Sequence, residues 1–133
     1  MRCYRCGSSL GSGAFCLRCG ADVKLYRKIV RLSNRYYNSG LEKARVRDLT
    51  GAAEDLSLAL EINKKNTLAR NLLGLVLYEM GETVQALCEW VVSTHYDEEN
   101  NPAAAYVAGL QNQRLELETA AQGIRKFNYA LEY

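Results

Sequence analysis

The 133-residue chain is 48% hydrophobic and 24% charged, with one proline and a formal charge of +2. That composition is ordinary for a soluble globular chain, and the single proline, Pro102, permits long helices. Its longest strongly apolar run, Leu72 to Tyr78, is far shorter than the ~20 residues a membrane span needs.

The chain begins MRCYRCGSSLGSGAFCLRCGADV. The polar, Cys-rich start lacks the apolar core of a secretion signal, which predicts a reducing, cytoplasmic location. Cys3 and Cys6 form one Cys-x-x-Cys pair, and Cys16 and Cys19 form another. A two-residue gap lets both sulfurs of a tight turn face one ion, and two such turns complete a closed tetrahedral site for one structural Zn2+. Gly7 and Gly20 follow the pairs, where the turn doubles back and a positive φ is needed. Gly11 and Gly13 sit in the connector. This stretch resembles the short zinc-ribbon at the N-terminus of many bacterial multidomain proteins, although Tyr4 and Leu17 stand where that family often has proline. The resemblance implies metal binding and names no further function, since its members bind nucleic acid, protein or no known ligand. Arg2, Arg5 and Arg18 surround the knot and are candidate phosphate contacts.

From Val23 onward apolar residues recur every three or four positions, which predicts helix. Tyr26, Ile29, Val30, Tyr36 or Tyr37, and Leu41 form one expected buried stripe, and Lys24, Arg27, Lys28, Arg31 and Arg35 form a basic face. Arg27 and Arg31 join the candidate nucleic-acid contacts. Charge is polarised along the chain. Residues 1–66 carry 13 Lys/Arg and 6 Asp/Glu, and residues 67–133 carry 4 and 9. An acidic partner for the front half, or head-to-tail contact between copies, would match that asymmetry. Zinc on four thiolates adds a net charge of about −2, leaving the loaded chain near neutral.

A 34-residue period then emerges. It relates Gly40 to Gly74, Ala52 to Ala86, and Leu56 to Trp90. Leu73-Gly74, Gly81, Ala86 and Trp90 make this segment resemble a tetratricopeptide repeat. Gly40, Asp48, Ala52 and Ala59-Leu60 do the same for the preceding segment, with Arg47 at the usual turn glycine. Small residues allow close helix approach, with Leu56, Leu73 and Trp90 filling the space between. Asn101-Pro102 predicts another helix start. Two helices are expected across residues 103–133, with a break near Glu116 to Thr119. The final FNYALEY echoes YNSGLEK at 37–43, so we expect the chain to be a piece of a longer protein, cut inside a further repeat.

The expected architecture is therefore mostly α. A four-cysteine zinc-ribbon spans residues 1–22, and a right-handed helix-hairpin solenoid spans 23–133, with repeats at about 23–66, 67–100 and 101–133. The whole resembles zinc-ribbon and tetratricopeptide proteins of anaerobic bacteria, in which more repeats and sometimes a membrane anchor follow. The resemblance implies a protein or peptide partner on a concave surface, for which the repeat register nominates Asn34, Tyr37, Leu41, Arg45, Asn71, Leu75 and Tyr78. The two-carboxylate clamp of chaperone-binding members needs a basic and amide set that Asn71 and Arg45 alone do not complete. No phosphate loop, nucleophile elbow or dinucleotide motif is present, and His95 stands alone beside Asp97, Glu98 and Glu99. Cys88 is expected as a semi-buried packing residue between Ala86 and Trp90. The expectation is a non-enzyme. Nucleic-acid binding through the ribbon and first helix, and a purely structural capping role, are the alternatives.

Overall fold

The computed structural model describes residues 1–113. The expected break near residue 116 and the echo at 127–133 lie outside the described residues. Four helices follow the Cys-rich stretch: α1 (Lys24–Arg45), α2 (Leu49–Ile62), α3 (Thr67–Glu79) and α4 (Thr83–Tyr96). A fifth, α5, begins at residue 103 and runs to the last described residue. The molecule is mostly α, and no strand occurs among the described residues. No described helix is long and apolar enough to cross a membrane. Helices α1 to α4 each pack on the next in chain order, α1 also touches α3, and α4 meets α5 through Trp90 and Ala103.

The corners show why the helices stop where they do. Arg47 and Gly81 are 34 residues apart and both have positive φ, 65° and 84°. Their backbones close the same way. Arg47 N–H donates to Ala44 O and Asp48 N–H to Lys43 O; Gly81 N–H donates to Tyr78 O and Glu82 N–H to Leu77 O. This pairing satisfies the last carbonyls of α1 and α3 and turns the chain into the next helix. Asp48 then caps α2 by accepting from Gly51 N–H, and Asn66 caps α3 by accepting from Ala69 N–H.

The main core joins Ala52, Leu56, Ala59 and Leu60 of α2 to Ala69, Leu73 and Val76 of α3, with Tyr36, Tyr37 and Ala44 of α1 against them. Gly40 makes the α1–α2 approach possible: a methyl group there would lie 2.8 Å from Leu56 Cγ. Gly74 plays the same part between α3 and α4, where a methyl group would enter the Trp90 indole. A second cluster carries Ala86 and Trp90 onto Ala103, with Tyr106, Val107 and Leu110 around them. Ile29 was expected in the buried stripe but is 38% exposed. One turn further along α1, Ser33 is fully buried. Ser33 Oγ donates to Ala59 O at 2.7 Å and accepts from Asn66 Nδ2 at 2.9 Å. The α1–α2 seam is thus tied by a hydrogen bond where a stripe count assigned an apolar contact. Cys88 likewise departs from expectation: it is exposed, because α4 turns only its Ala86 and Trp90 face inward.

Candidate metal centre and the adjoining cleft

The two knuckles repeat one another at a 13-residue offset. Cys3 N–H donates to Ser8 O and Cys16 N–H to Ala21 O, both at 2.8 Å. Gly7 N–H returns to Cys3 O and Gly20 N–H to Cys16 O. Isolated antiparallel bridges join Arg2 to Ser9 and Phe15 to Asp22. Gly7 and Gly20 adopt φ of +74° and +73°, as the turn chemistry requires.

These turns bring the four sulfurs together. All ligand atoms of Cys3, Cys6, Cys16 and Cys19 lie within 4.8 Å of one another. Cys3 Sγ is 3.7 Å from Cys19 Sγ, and Cys6 Sγ is 3.6 Å from Cys16 Sγ. A tetrahedron with metal–sulfur bonds of about 2.3 Å has edges of about 3.8 Å, so these two pairs already stand at ligand spacing and the other sulfurs lie within reach of it. Ser8 was not singled out in the sequence, yet its Oγ lies 3.0 Å from Cys6 Sγ and 3.4 Å from Cys16 Sγ. A hydroxyl directly after the Cys-x-x-Cys-Gly turn was the available signal. Arg5 N–H adds a contact to Cys3 Sγ at 3.4 Å.

The electrostatics are those of thiols sharing too little positive charge. The Ser8 hydroxyl, with the backbone N–H groups of Cys19 and Arg18, lowers Cys16 to about 5. Ser8 also lowers Cys6. Cys19 receives a lowering contact from the Ala21 backbone, but burial and the sulfurs of Cys16, Cys6 and Cys3 push it up to about 11. Part of the cluster is ready to ionise, and the rest resists until a cation offsets the crowding of negative charge. A divalent cation meets that need. Cys3, Cys16, Ala21 and Val23 form the only buried apolar cluster of this stretch, with Leu10 beside it. So few small side chains, at about 1–3 kcal/mol each, cannot order some twenty residues at ~1.5 kcal/mol per residue. The stretch fits metal as its organising bond.

The knuckles are fastened to the helices. Val23 is fully buried, and its N–H donates to Ala14 O. Arg27 Nη2 donates to Gly11 O. Tyr4 packs on Tyr26 with ring centroids 5.4 Å apart, and Tyr4 OH donates to Asp22 O at 3.3 Å.

The remaining candidate residues fall in separate places. Asn34 is exposed and accepts from Asn66 Nδ2 at 3.2 Å. Tyr37 is half-buried against the main core, and Leu41 is half-buried on the same helix. Arg45 is exposed and pairs with Glu42 at 2.9 Å. Asn71 is buried, and its Nδ2 donates to Asn101 Oδ1 at 2.8 Å, so it ties α3 to the corner before α5. Leu75 and Tyr78 are exposed on α3. The basic residues do not form one patch. Arg5 and Arg18 are exposed on the two knuckles, and Arg27 is engaged with Gly11. Arg31 sits with Lys28, Leu32 and Arg35 on the outside of α1. Arg2 instead faces Lys64 and Lys65 of the α2–α3 corner across a cleft of about 590 Å³, which Tyr4 and Tyr26 also line. A second cleft of about 750 Å³ shares Arg2 and Lys65 and is bounded by His95, Asp97, Glu98 and Glu99. His95 stands edge-on to Tyr96 at 5.8 Å. Neither the Arg2–Lys65 convergence nor the second cleft was visible in the sequence, because the residues are far apart along the chain. No protein-family model matches the chain, and no curated protein matches it.

Proposed function

We propose that the chain is a non-catalytic interaction scaffold, in which tetratricopeptide-like helix pairs present a surface to a protein or peptide partner and a structural zinc-ribbon holds the front end. One observation carries the reading. Positions 34 residues apart do the same work in successive helix pairs: Gly40 meets Leu56 as Gly74 meets Trp90, and Arg47 turns the chain as Gly81 does. Helices that stack in chain order with a fixed period form extended surfaces suited to peptides. The exposed Leu75 and Tyr78 of α3, with Asn34 of α1, are the groove residues in this reading. The test is a peptide array probed with the zinc-loaded chain and with Leu75→Glu. Peptides held by the first and lost by the second support the groove, and no binder above background rejects it.

Zinc is the metal this reading assigns to Cys3, Cys6, Cys16 and Cys19, since four thiolates at these spacings suit a closed structural site. Metal analysis should give one zinc per chain, and none for Cys16→Ser. The capping role has its own support in the burial of Val23 and the Arg27–Gly11 and Tyr4–Tyr26 contacts. It expects chelation to lower the stability of α1 and α2 as well as to unfold the knuckles.

A further inference from the structure

The two clefts beside the ribbon share a wall and differ in charge. In the first, Arg2 from the knuckle and Lys64 and Lys65 from the α2–α3 corner converge, and no carboxylate among the described residues lines it. None of the three has an ion-pair partner among the described residues. Three like charges facing one another across a gap repel unless an anion lies between them. The corner is also held in place. Arg70 Nη2 donates to Lys64 O at 2.9 Å, Lys65 N–H donates to Asn63 Oδ1 at 3.2 Å, and Asn66 caps the next helix. The lysine backbones are therefore fixed before any ligand arrives, which lowers the entropy lost on binding. Tyr4 is exposed and stands against Tyr26 at the edge of the cleft, offering an aromatic face beside the cations.

In the second cleft Arg2 and Lys65 are met by Asp97, Glu98 and Glu99. A strand of nucleic acid leaving the first cleft would carry its next phosphates toward three carboxylates. A polyphosphate backbone cannot change sign along its length, whereas a peptide can do so from one residue to the next. Resting on the scaffold reading above, we infer that the ribbon and the α2–α3 corner together bind an extended peptide of ordered charge. Its acidic and aromatic residues sit among Arg2, Lys64, Lys65 and Tyr4, and its basic residues sit against Asp97, Glu98 and Glu99. The ribbon is then one wall of the binding site as well as a cap. This site is distinct from the groove residues Leu75 and Tyr78.

The test is fluorescence anisotropy of the zinc-loaded chain with a short labelled peptide that carries an acidic block, a central Phe and a basic block. An all-basic peptide and a single-stranded oligothymidine serve as comparison probes. Lys64→Glu/Lys65→Glu reverses the corner charge and leaves all four cysteines in place; because Cys3 lines the same cleft, zinc content and helical circular dichroism are checked alongside. The two-block peptide should bind more tightly than either comparison probe. It should weaken at least about tenfold in Lys64→Glu/Lys65→Glu and hold in Leu75→Glu. Binding that survives the corner reversal, or is lost only in Leu75→Glu, overturns the cleft and leaves the groove reading standing. Tighter binding of oligothymidine, lost on corner reversal, overturns the peptide assignment. No peptide binding at all overturns the cleft, and the array then decides the groove.

Discussion

In the first helix pair, α1 and α2, Gly40 lies beneath Leu56; in the second, α3 and α4, Gly74 lies beneath Trp90. The backbone positions correspond, and the side chains do not. Leucine is the smaller filler, and an added methyl group would lie 2.8 Å from its branch carbon, whereas at Gly74 the methyl would lie 2.6 Å from two indole carbons. The indole is rigid and is held on several sides: Nε1 donates to Asn71 O at 3.1 Å, and the ring meets Tyr106 at 5.1 Å and Tyr78 at 6.2 Å. One helix-pair plan therefore tolerates two fillers, and the cost of an error depends on which filler is present.

The sharpest way to break the comparison is to add one methyl group to each glycine. Gly74→Ala drives Cβ into an indole with nowhere to go, and we expect a loss of about 3 kcal/mol. Gly40→Ala meets the Leu56 branch carbon at 2.8 Å and the Ala52 carbonyl oxygen at 3.3 Å, a milder overlap than at Gly74, and alanine's helix propensity offsets about 1 kcal/mol of the strain, so the net loss should be about 2 kcal/mol. Urea denaturation followed by circular dichroism measures both. Equal losses would show that the fillers are interchangeable after all.

The next difference is in charge. Asp55 of α2 and Glu89 of α4 also stand 34 residues apart, and each reaches back to the first helix of its pair. Asp55 accepts from Ser39 Oγ at 2.6 Å and pairs with Lys43 at 2.9 Å. Glu89 pairs with Arg70 at 2.7 Å, and the Arg70 guanidinium also lies over the Tyr96 ring. The Ser39 hydrogen bond, with Lys43, holds the Asp55 carboxyl below its ordinary 3.8, and Asp55 raises Lys43 above its ordinary 10.5. A lowered acid stabilises the fold above its unfolded value and stops doing so as pH falls through the folded one. A raised base stabilises below its unfolded value and stops as pH rises through the folded one. Asp55→Ala should thus cost about 2 kcal/mol near neutrality, with the penalty shrinking below about pH 4 and above about pH 10. Stability of both proteins across pH checks this. A penalty that stays constant into acid would remove the carboxylate from the account.

Several of these features were legible in the sequence because they are local or periodic. Metal-ligand spacing is a property of a four-residue turn, so Cys3, Cys6, Cys16 and Cys19 could be grouped without any tertiary knowledge. The period related Gly40 to Gly74 and Leu56 to Trp90, because equivalent positions reuse one packing plan; that each glycine faces the large side chain of its own helix pair came from the structure. What failed was the assignment of faces within a helix. Ile29 and Ser33 lie one turn apart on α1, and the hydroxyl is buried because Ala59 O offers it a partner. Such a partner comes from another helix and leaves no trace in α1's own pattern. Asn71 is buried through a partner of the same kind, since its Nδ2 donates to Asn101 Oδ1 of another segment. The Arg2–Lys64–Lys65 cleft depends on how the Cys-rich turns settle against a corner some sixty residues away, which hydropathy and spacing do not encode.

The smallest expected effect concerns the corners. Gly81 has no Cβ to strain at φ 84°, whereas Arg47 carries one at φ 65°. Left-handed backbone costs an ordinary residue about 1 kcal/mol, so Gly81→Ala should destabilise by about that much. The reverse change is nearly balanced. Arg47→Gly relieves the strain but loosens the unfolded chain by about 0.5–1 kcal/mol, and it removes the exposed 3.2 Å pair with Glu79, which contributes little. We expect Arg47→Gly to lie within about 0.5 kcal/mol of the parent in the same urea measurement. A loss well above about 1 kcal/mol would mean that the arginine side chain holds this corner. The two corners would then share a backbone shape without sharing the reason for it.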